Sequence, residues 1–428
     1  MNPQLEDTMS VPTPAAAATK PRASKIRMVG TLPQTLPQTA KTPNVFNNIK
    51  SSGNVLRFTL APTHVTYANS LRRTIKAMVE TVAFNADIEE GTGRTTDVKI
   101  LKNSTPMSNE MLAHRLSLLP IYIAEPLKWN SAEYVFKLNV KNETKDSKDV
   151  CAGDIEVYRL VAGEEPARLP SKDFFPPHSI TKETALLAVL KAKVGTAAPE
   201  EIQCEMRATL GIGKQHARFE PISQCSYQYT LDEDPVRVKE VFETWLQNHK
   251  KVVPSELEAD ATRKADLTRE FNTMERQRCY LQTEDAEPYS FDFVVETLGP
   301  LSTTYIVGRA LELLRDRCTK YASIQVGDLP PNLKVVQTEK AMRGYTFTFE
   351  GEDHTLGNLF QTWISDNLMD TNEVTFVGYK PTHPLEDQIV IDIGIENEAS
   401  QLITAKTAIA KAAKACADMF ASWRSAWA

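Results

Sequence analysis

The chain has 428 residues, 42% apolar and 24% charged, with 49 basic against 55 acidic side chains and a net charge of −6. That length supports two to four domains with a sizeable core, and the acidic balance argues against a protein whose main task is gripping nucleic acid, which needs a basic surface. Apolar runs fall far short of the ~20 residues of a bilayer span, no secretory signal is read at the N-terminus, and the six cysteines are too scattered for a disulfide framework or a zinc site. The chain is therefore expected to be intracellular, reduced and free of metal.

Residues 1–45 read as a flexible tail. Seven of the 25 prolines lie there, with an alanine run at 15–18 and a doubled Leu-Pro-Gln-Thr, and little apolar matter offsets the entropy of ordering. Order is expected from Val55. Residues 58–60 read as a strand, and Ala61-Pro62-Thr63 breaks it. Residues 67–79 read as a helix, with Tyr67, Leu71, Ile75 and Met78 on one face and Thr66 as N-cap. Residues 82–84 read as a strand again.

The stretch 347–378 follows the same plan: strand 347–349, break 350–353, helix 356–367, strand 374–376. A shift of 289 positions lays Phe58 on Phe347, Thr59 on Thr348, Thr66 on Thr355, Asn69 on Asn358 and Ile75 on Ile364. Residues 82–84 meet 374–376 after a three-residue slip. Such self-similarity marks one supersecondary unit used twice. Each copy is then completed by a strand and a long helix. These are 289–295 and 300–321, with Pro300 in the first turn, and 388–395 and 399–423.

The expected fold class is α+β, with two pseudo-symmetric dimerisation units in one chain and a β-rich domain inserted in the first. The expected boundaries are a tail at 1–45, the first unit at 46–94 and 231–327, the insert at 95–230, a linker with Pro330-Pro331 at 328–343, and the second unit at 344–428. Segment 235–282 reads as charged and helical with a polar middle at 248–266. One short sheet with two amphipathic helices cannot cover itself, whereas two such units can pack about a pseudo-two-fold axis. A tether would hold the second unit at an effective concentration of roughly millimolar or above.

Two runs in the first half carry a resemblance: Asn69-Ser-Leu-Arg-Arg73 and the stretch 103–120 containing Ala113-His-Arg-Leu116. They resemble the third subunit of eukaryotic RNA polymerase II, its archaeal and polymerase I/III relatives and, more distantly, the bacterial alpha subunit. Residues 211–221 are similar to a loop of the inserted domain of those subunits. Residues 352–359 and 378–385 resemble the eleventh subunit. The likeness covers about residues 50–425 and makes both units alpha-subunit-like. It implies a non-catalytic assembly subunit of a DNA-directed RNA polymerase, in which a third/eleventh-subunit pair is fused in one chain. The implied partners are the largest and second-largest polymerase subunits, small polymerase subunits and the chain's own other half, with no direct nucleic-acid readout and no membrane. The fused arrangement resembles that of nucleocytoplasmic large DNA viruses, implying virion and host cytoplasm, or otherwise the nucleus. Many third subunits hold a metal through an inserted cysteine cluster; Cys151, Cys204 and Cys225 are too dispersed for that, so no cofactor or metal is expected.

The candidate interface residues are Asn69, Arg72, Arg73, His114, Arg115, Lys214, His216, Arg218, Asp353, His354, Asn358, Lys380 and His383. Arg72 and Arg73 are expected to project outward, where planar guanidinium groups suit docking of the second-largest subunit. Asn69 and Asn358, at one repeat position near helix starts, are expected to tie down local structure. Asp353-His354 could be read as an acid orienting an imidazole, but a helix entrance capped by Asp353 or Thr355 explains it better. The loop 211–214 lacks the P-loop spacing. From 344 to 398 there are 11 acidic residues and one basic residue, Lys380, so this half should face protein rather than phosphate. A stand-alone binding module and a small-molecule enzyme using His354 or His114 are the competing readings.

Overall fold

The computed structural model describes residues 44–87, 97–161, 165–253, 260–325, 329–338, 343–369, 374–395 and 401–427. The expected tail lies, up to residue 43, outside the described residues.

Order begins earlier than Val55. Strand β1 (Phe46–Ser52) pairs antiparallel with β2 (Val55–Leu60), and helix α1 (Val65–Ala77) follows. Its apolar stripe is real, with Leu71 and Ile75 fully buried. Its cap is not Thr66: the His64 imidazole accepts the Thr66 N–H at 3.2 Å.

The chain then leaves the unit. The insert carries β3 (Glu80–Ala83), β4 (Val98–Asn103), α2 (Asn109–Ser117), β5 (Tyr134–Lys141), β6 (Lys148–Cys151), β7 (Ile155–Arg159), β8 (Ala167–Leu169), β9 (Leu186–Leu190), β10 (Glu201–Met206) and β11 (Thr209–Ile212). A five-stranded sheet ordered β4-β10-β5-β7-β8 is its body, and β6–β9 and β3–β11 form two-stranded ribbons. It has a separate core around Phe84, Phe136, Leu138, Ile155 and Met206.

Strand β12 (Ile222–Tyr229) returns to the first unit. After an excursion through α3 (Pro235–Trp245), a π-turn and α4 (Ala261–Met274), β13 (Phe291–Thr297) and α5 (Thr303–Thr319) complete it. The excursion, expected helical, closes a small core of its own from Trp245, Leu246, Val252 and Phe271. Part of its polar middle, residues 254–259, lies outside the described residues. Ser302, not Pro300, opens α5, accepting the Tyr305 N–H at 3.2 Å.

The second unit is β14 (Leu333–Gln337), β15 (Gly344–Glu350), α6 (His354–Leu368), β16 (Phe376–Pro381), β17 (Gln388–Gly394) and α7 (Gln401–Ala426). The two units have the same sheet, β1-β2-β13-β12 and β14-β15-β17-β16. In chain order each is strand, strand, helix, strand, strand, helix, with the last two strands transposed in the sheet.

Three expected boundaries change with this topology. The counterpart of β16 is β12, which pairs with β13 across seven residue pairs; residues 82–84 are not that counterpart. Residues 82–84 look like a strand locally, but β3 pairs with β11 and Phe84 packs edge-on against Phe136 of the insert, centroids 5.1 Å apart. The insert therefore runs from about 80 to 221 instead of 95 to 230. The expected linker at 328–343 contains β14, which pairs with β15; part of it, residues 339–342, lies outside the described residues.

Candidate functional site

Each sheet buries one face under its own two helices, and the four helices then meet one another. One continuous core results. It runs from Phe46, Phe58 and Phe293 in the first unit through Leu311 and Leu314 to Phe347, Phe360, Ile409 and Phe420 in the second. Along α1 and α6 the seam between units repeats itself. Thr66 Oγ1 lies 3.1 Å from Thr362 Oγ1, and Arg73 Nε donates to Thr355 Oγ1 at 2.9 Å. By the 289 shift, Thr66 corresponds to Thr355 and Arg73 to Thr362, so these two contacts are the same contact seen from either side. That reciprocity is what an isologous two-fold interface requires. The helix caps correspond too: His64 caps α1, and Asp353 caps α6 by accepting the Thr355 N–H at 3.0 Å.

The long helices cross over. Just past α5, the fully buried Tyr321 ring stands edge-on to Phe349 and Phe360 of the second unit, at 5.1 and 6.1 Å. Just past α7, Trp427 packs edge-on against Phe46 and Phe58 of the first unit, at 4.8 and 5.3 Å, and its Nε1 donates to the Thr304 carbonyl at 3.0 Å. Each unit's last helix thus ends on the other unit's sheet. Mid-seam, Cys318 of α5 and Cys416 of α7 are both buried, and the neighbouring Cys318 thiol and then burial push the Cys416 thiol well above its usual range.

The most deeply buried ion pair across the seam lies at the Tyr321 end. Arg317 Nε donates to Glu352 Oε2 at 3.1 Å and Arg317 Nη2 to Asp353 Oδ1 at 3.1 Å, with the side chains of Arg317 and Glu352 only 11% and 6% exposed. Tyr321 Oη donates to Glu352 Oε1 at 3.1 Å, and Asn332 Nδ2 donates to Tyr321 Oη at 2.7 Å. Arg73 Nη2 lies 3.6 Å from Asp353 Oδ2. Burial of Asp353 opposes its ionisation, but Arg317, the hydrogen bonds from Arg317 and Thr355, and Arg73 outweigh it and hold its carboxyl at about 2. At the Trp427 end, Arg424 Nε donates to Glu312 Oε1 at 2.8 Å.

Several candidate residues therefore have internal duties. Arg73 does not project outward to a partner; it is spent across the seam. Arg72 Nε and Nη2 donate to Asn69 Oδ1 at 3.0 and 2.9 Å, so Asn69 ties down a side chain. Asn358 Nδ2 donates to Thr66 Oγ1 at 3.2 Å across the seam, not to its own backbone. Arg218, 3% exposed, donates through Nη1 to Asn85 and Nη2 to Asp87, each at 2.6 Å, and so joins the two ends of the insert.

Lys214 spans from the insert to the second unit. Its backbone N–H meets the Ala77 carbonyl at 2.8 Å, and its Nζ lies 2.9 Å from Asp387 Oδ2. Here the glycines have a structural reason: a Cβ on Gly213 would stand 2.5 Å from the Lys76 carbonyl oxygen, and one on Gly211 2.7 Å from the Phe219 ring. Glycine admits close backbone approach in place of a phosphate cradle. His216 caps a short turn by accepting the Arg218 N–H at 3.1 Å; burial and then the Arg218 charge push its pKa down. Arg115 Nη2 donates to the Leu186 carbonyl at 3.0 Å, fixing α2 on β9.

Exposed candidates remain at the β16–β17 hairpin. Lys380 and His383 face solvent, His383 Nδ1 accepts the Leu385 N–H at 3.2 Å, and Leu385 is 90% exposed. His354 is exposed with its ring edge-on to Tyr379 at 5.9 Å. The Asp353 carboxylate is committed to Thr355 and the arginines and does not orient the imidazole. Among the described residues, no group of three His, Cys, Asp or Glu is placed to hold a metal, and no helix is long and apolar enough to cross a membrane.

Sequence reasoning missed Arg317, Glu352, Glu312, Arg424 and Trp427. The one available signal was Glu352-Asp353 at a helix start in a predicted interface unit; its basic partner lies 35 residues upstream.

Residues 57–318 and 344–426 each match a family described as RNA polymerase Rpb3/Rpb11 dimerisation domain. The chain is similar to the DNA-directed RNA polymerase subunit Rpo3 of Methanopyrus kandleri, 25% identical over 268 residues, covering 61% of this chain and 87% of that protein. It is similar to the DNA-directed RNA polymerases I and III subunit RPAC1 of Mus musculus, 25% identical over 303 residues, 64% and 82%. A conjugation stage-specific protein of Tetrahymena thermophila is 24% identical over 294 residues, 61% and 88%.

Proposed function

Because this chain belongs to the RNA polymerase Rpb3/Rpb11 dimerisation-domain family, we propose that it is a non-catalytic assembly subunit of a DNA-directed RNA polymerase, in which the third/eleventh-subunit pair is formed within one chain. The observation that carries this reading is the single core shared by the two family-matched segments, with reciprocal contacts across it. The relatives add support. They are polymerase subunits matched over most of their own length but over only about three fifths of this chain, which leaves room here for a second unit.

In this reading the paired units are a rigid platform on which the largest and second-largest subunits assemble, and catalytic metal, template and nucleotide belong to those partners. The exposed residues available to meet them are His114, Lys380, His383 and Leu385, with the half-buried Arg72 held towards Asn69 beside them; Arg73, Arg218 and Asn358 hold the platform together. The fused arrangement supports a viral setting, with transcription in the virion and host cytoplasm.

Affinity capture of the tagged chain from its native source, followed by mass spectrometry, tests the proposal. Stoichiometric recovery of two much larger polymerase chains is expected, and recovery of the chain alone would overturn it. Capture from purified virions or from nuclei decides the setting.

A further inference from the structure

The charges of the Arg317 end sit on opposite sides of the seam. Both cations, Arg73 and Arg317, belong to the first unit, and both anions, Glu352 and Asp353, to the second. The 289 shift shows what each would meet in a pairing of like units. The first-unit positions corresponding to Glu352 and Asp353 are Thr63 and His64, and the second-unit position corresponding to Arg73 is Thr362. Two first units would therefore bury Arg317 with no carboxylate to receive it. Two second units would bury Glu352 and Asp353 without the guanidinium of Arg73. A buried charge stripped of its partner is strongly unfavourable, whereas the intact pair gives little net stability over an apolar replacement. Such a device chiefly discriminates between partners. Elsewhere the Thr66–Thr362 contact and the apolar core suit either half, and the other charged contacts between the halves, Arg424–Glu312 and Lys214–Asp387, are more exposed and so weigh less.

From this we infer that Arg317 and Glu352, supported by Arg73 and Asp353, determine which halves pair, admitting unlike units and rejecting like ones. The inference rests on the pairing reading above.

It is tested on the full chain carrying a protease site between residues 325 and 329, cut after folding. One version keeps the native charges, and a second carries Arg317→Glu with Glu352→Arg. The two cut proteins are mixed, brought to exchange equilibrium and read by native mass spectrometry. In a cross-pair, two guanidinium groups or two carboxylates would meet, so each half should return to its own cognate, with cross-pairs at least about tenfold below the random half of all pairs. Cross-pairs at the random proportion would overturn the inference. A cut wild-type chain whose halves do not stay together would instead overturn the pairing reading. A third version, with Arg73→Thr, Arg317→Met, Glu352→Gln and Asp353→Asn, keeps the helix cap and should yield like-with-like pairs where the native chain yields none; continued strict pairing of unlike halves would also overturn the inference.

Discussion

The two ends of the seam stand at related places and differ in balance: both pair aromatic rings with ionic groups, but the ionic groups are half-exposed at the Trp427 end and buried at the Tyr321 end. In each, the end of a unit's last helix lies on the second strand of the other unit's sheet. At one end Trp427 and Trp423 close over Phe46 and Phe58. At the other, Tyr321 covers Phe349 while Arg317, Glu352 and Asp353 form a buried ionic cluster. Aromatic burial is non-directional, insensitive to pH, and adds about 0.5–1.5 kcal/mol per favourable ring pair beyond area. The ionic cluster adds little net stability but is intolerant of a missing member. The first end is weighted towards adhesion and the second towards choice.

The largest expected effect separates the two ends. Glu352→Leu leaves the buried Arg317 with Asp353 as its remaining carboxylate partner and should destabilise the chain by about 3 kcal/mol, the low end for a broken buried pair, read as the shift in urea midpoint. Adding Arg317→Met should restore most of it; a double variant as unstable as the single one would mean that the pair contributes large net stability. Trp427→Ala should cost about 3 kcal/mol, near the low end for a buried aromatic because the helix terminus can relax into the space. No second substitution at the ionic end should rescue it.

The pH response should differ as well. The Asp353 carboxyl is held at about 2 in the folded state, below its unfolded value near 3.9. Its contribution is present above about pH 4 and is lost as pH falls towards 2. Asp353→Asn should flatten that part of the acid limb, whereas Trp427→Ala should shift the whole curve without changing its shape. Smaller still, Thr66→Val removes the hydroxyl shared with Thr362 and Asn358 and should cost about 1 kcal/mol. Smallest is Arg72→Glu, which touches no seam group and should move stability by no more than about 0.5 kcal/mol while weakening capture of the large partner. The same reversal at Arg73 should destabilise the fold itself.

Much of this was legible beforehand. The repeat, both strand–helix entrances and the long closing helices follow from period, which is local, whereas the helix starts are capped by His64 and Ser302 rather than set by the expected Thr66 and Pro300. The α+β class and the pairing of two like units follow from a sheet that cannot cover itself. What failed was partner choice. Residues 82–84 have the alternation and size of residues 374–376, yet β12, some 140 residues later, fills that place in the sheet. Arg73 has the composition of an exposed docking residue, yet a threonine on another helix receives it. A strand's pattern reports that a face is buried, not against what.

By itself the sequence determined the two units, their apolar faces, the helix cap at Asp353, and the placing of eleven acids against one base in the stretch 344–398. Tertiary structure alone decided which strand completes the first sheet, where the insert begins and ends, and which arginine meets which carboxylate. The reason is physical. Propensity and periodicity act within a few residues, whereas strand pairing and ion pairing are settled by groups far apart in the chain that only the folded core brings within about 3 Å.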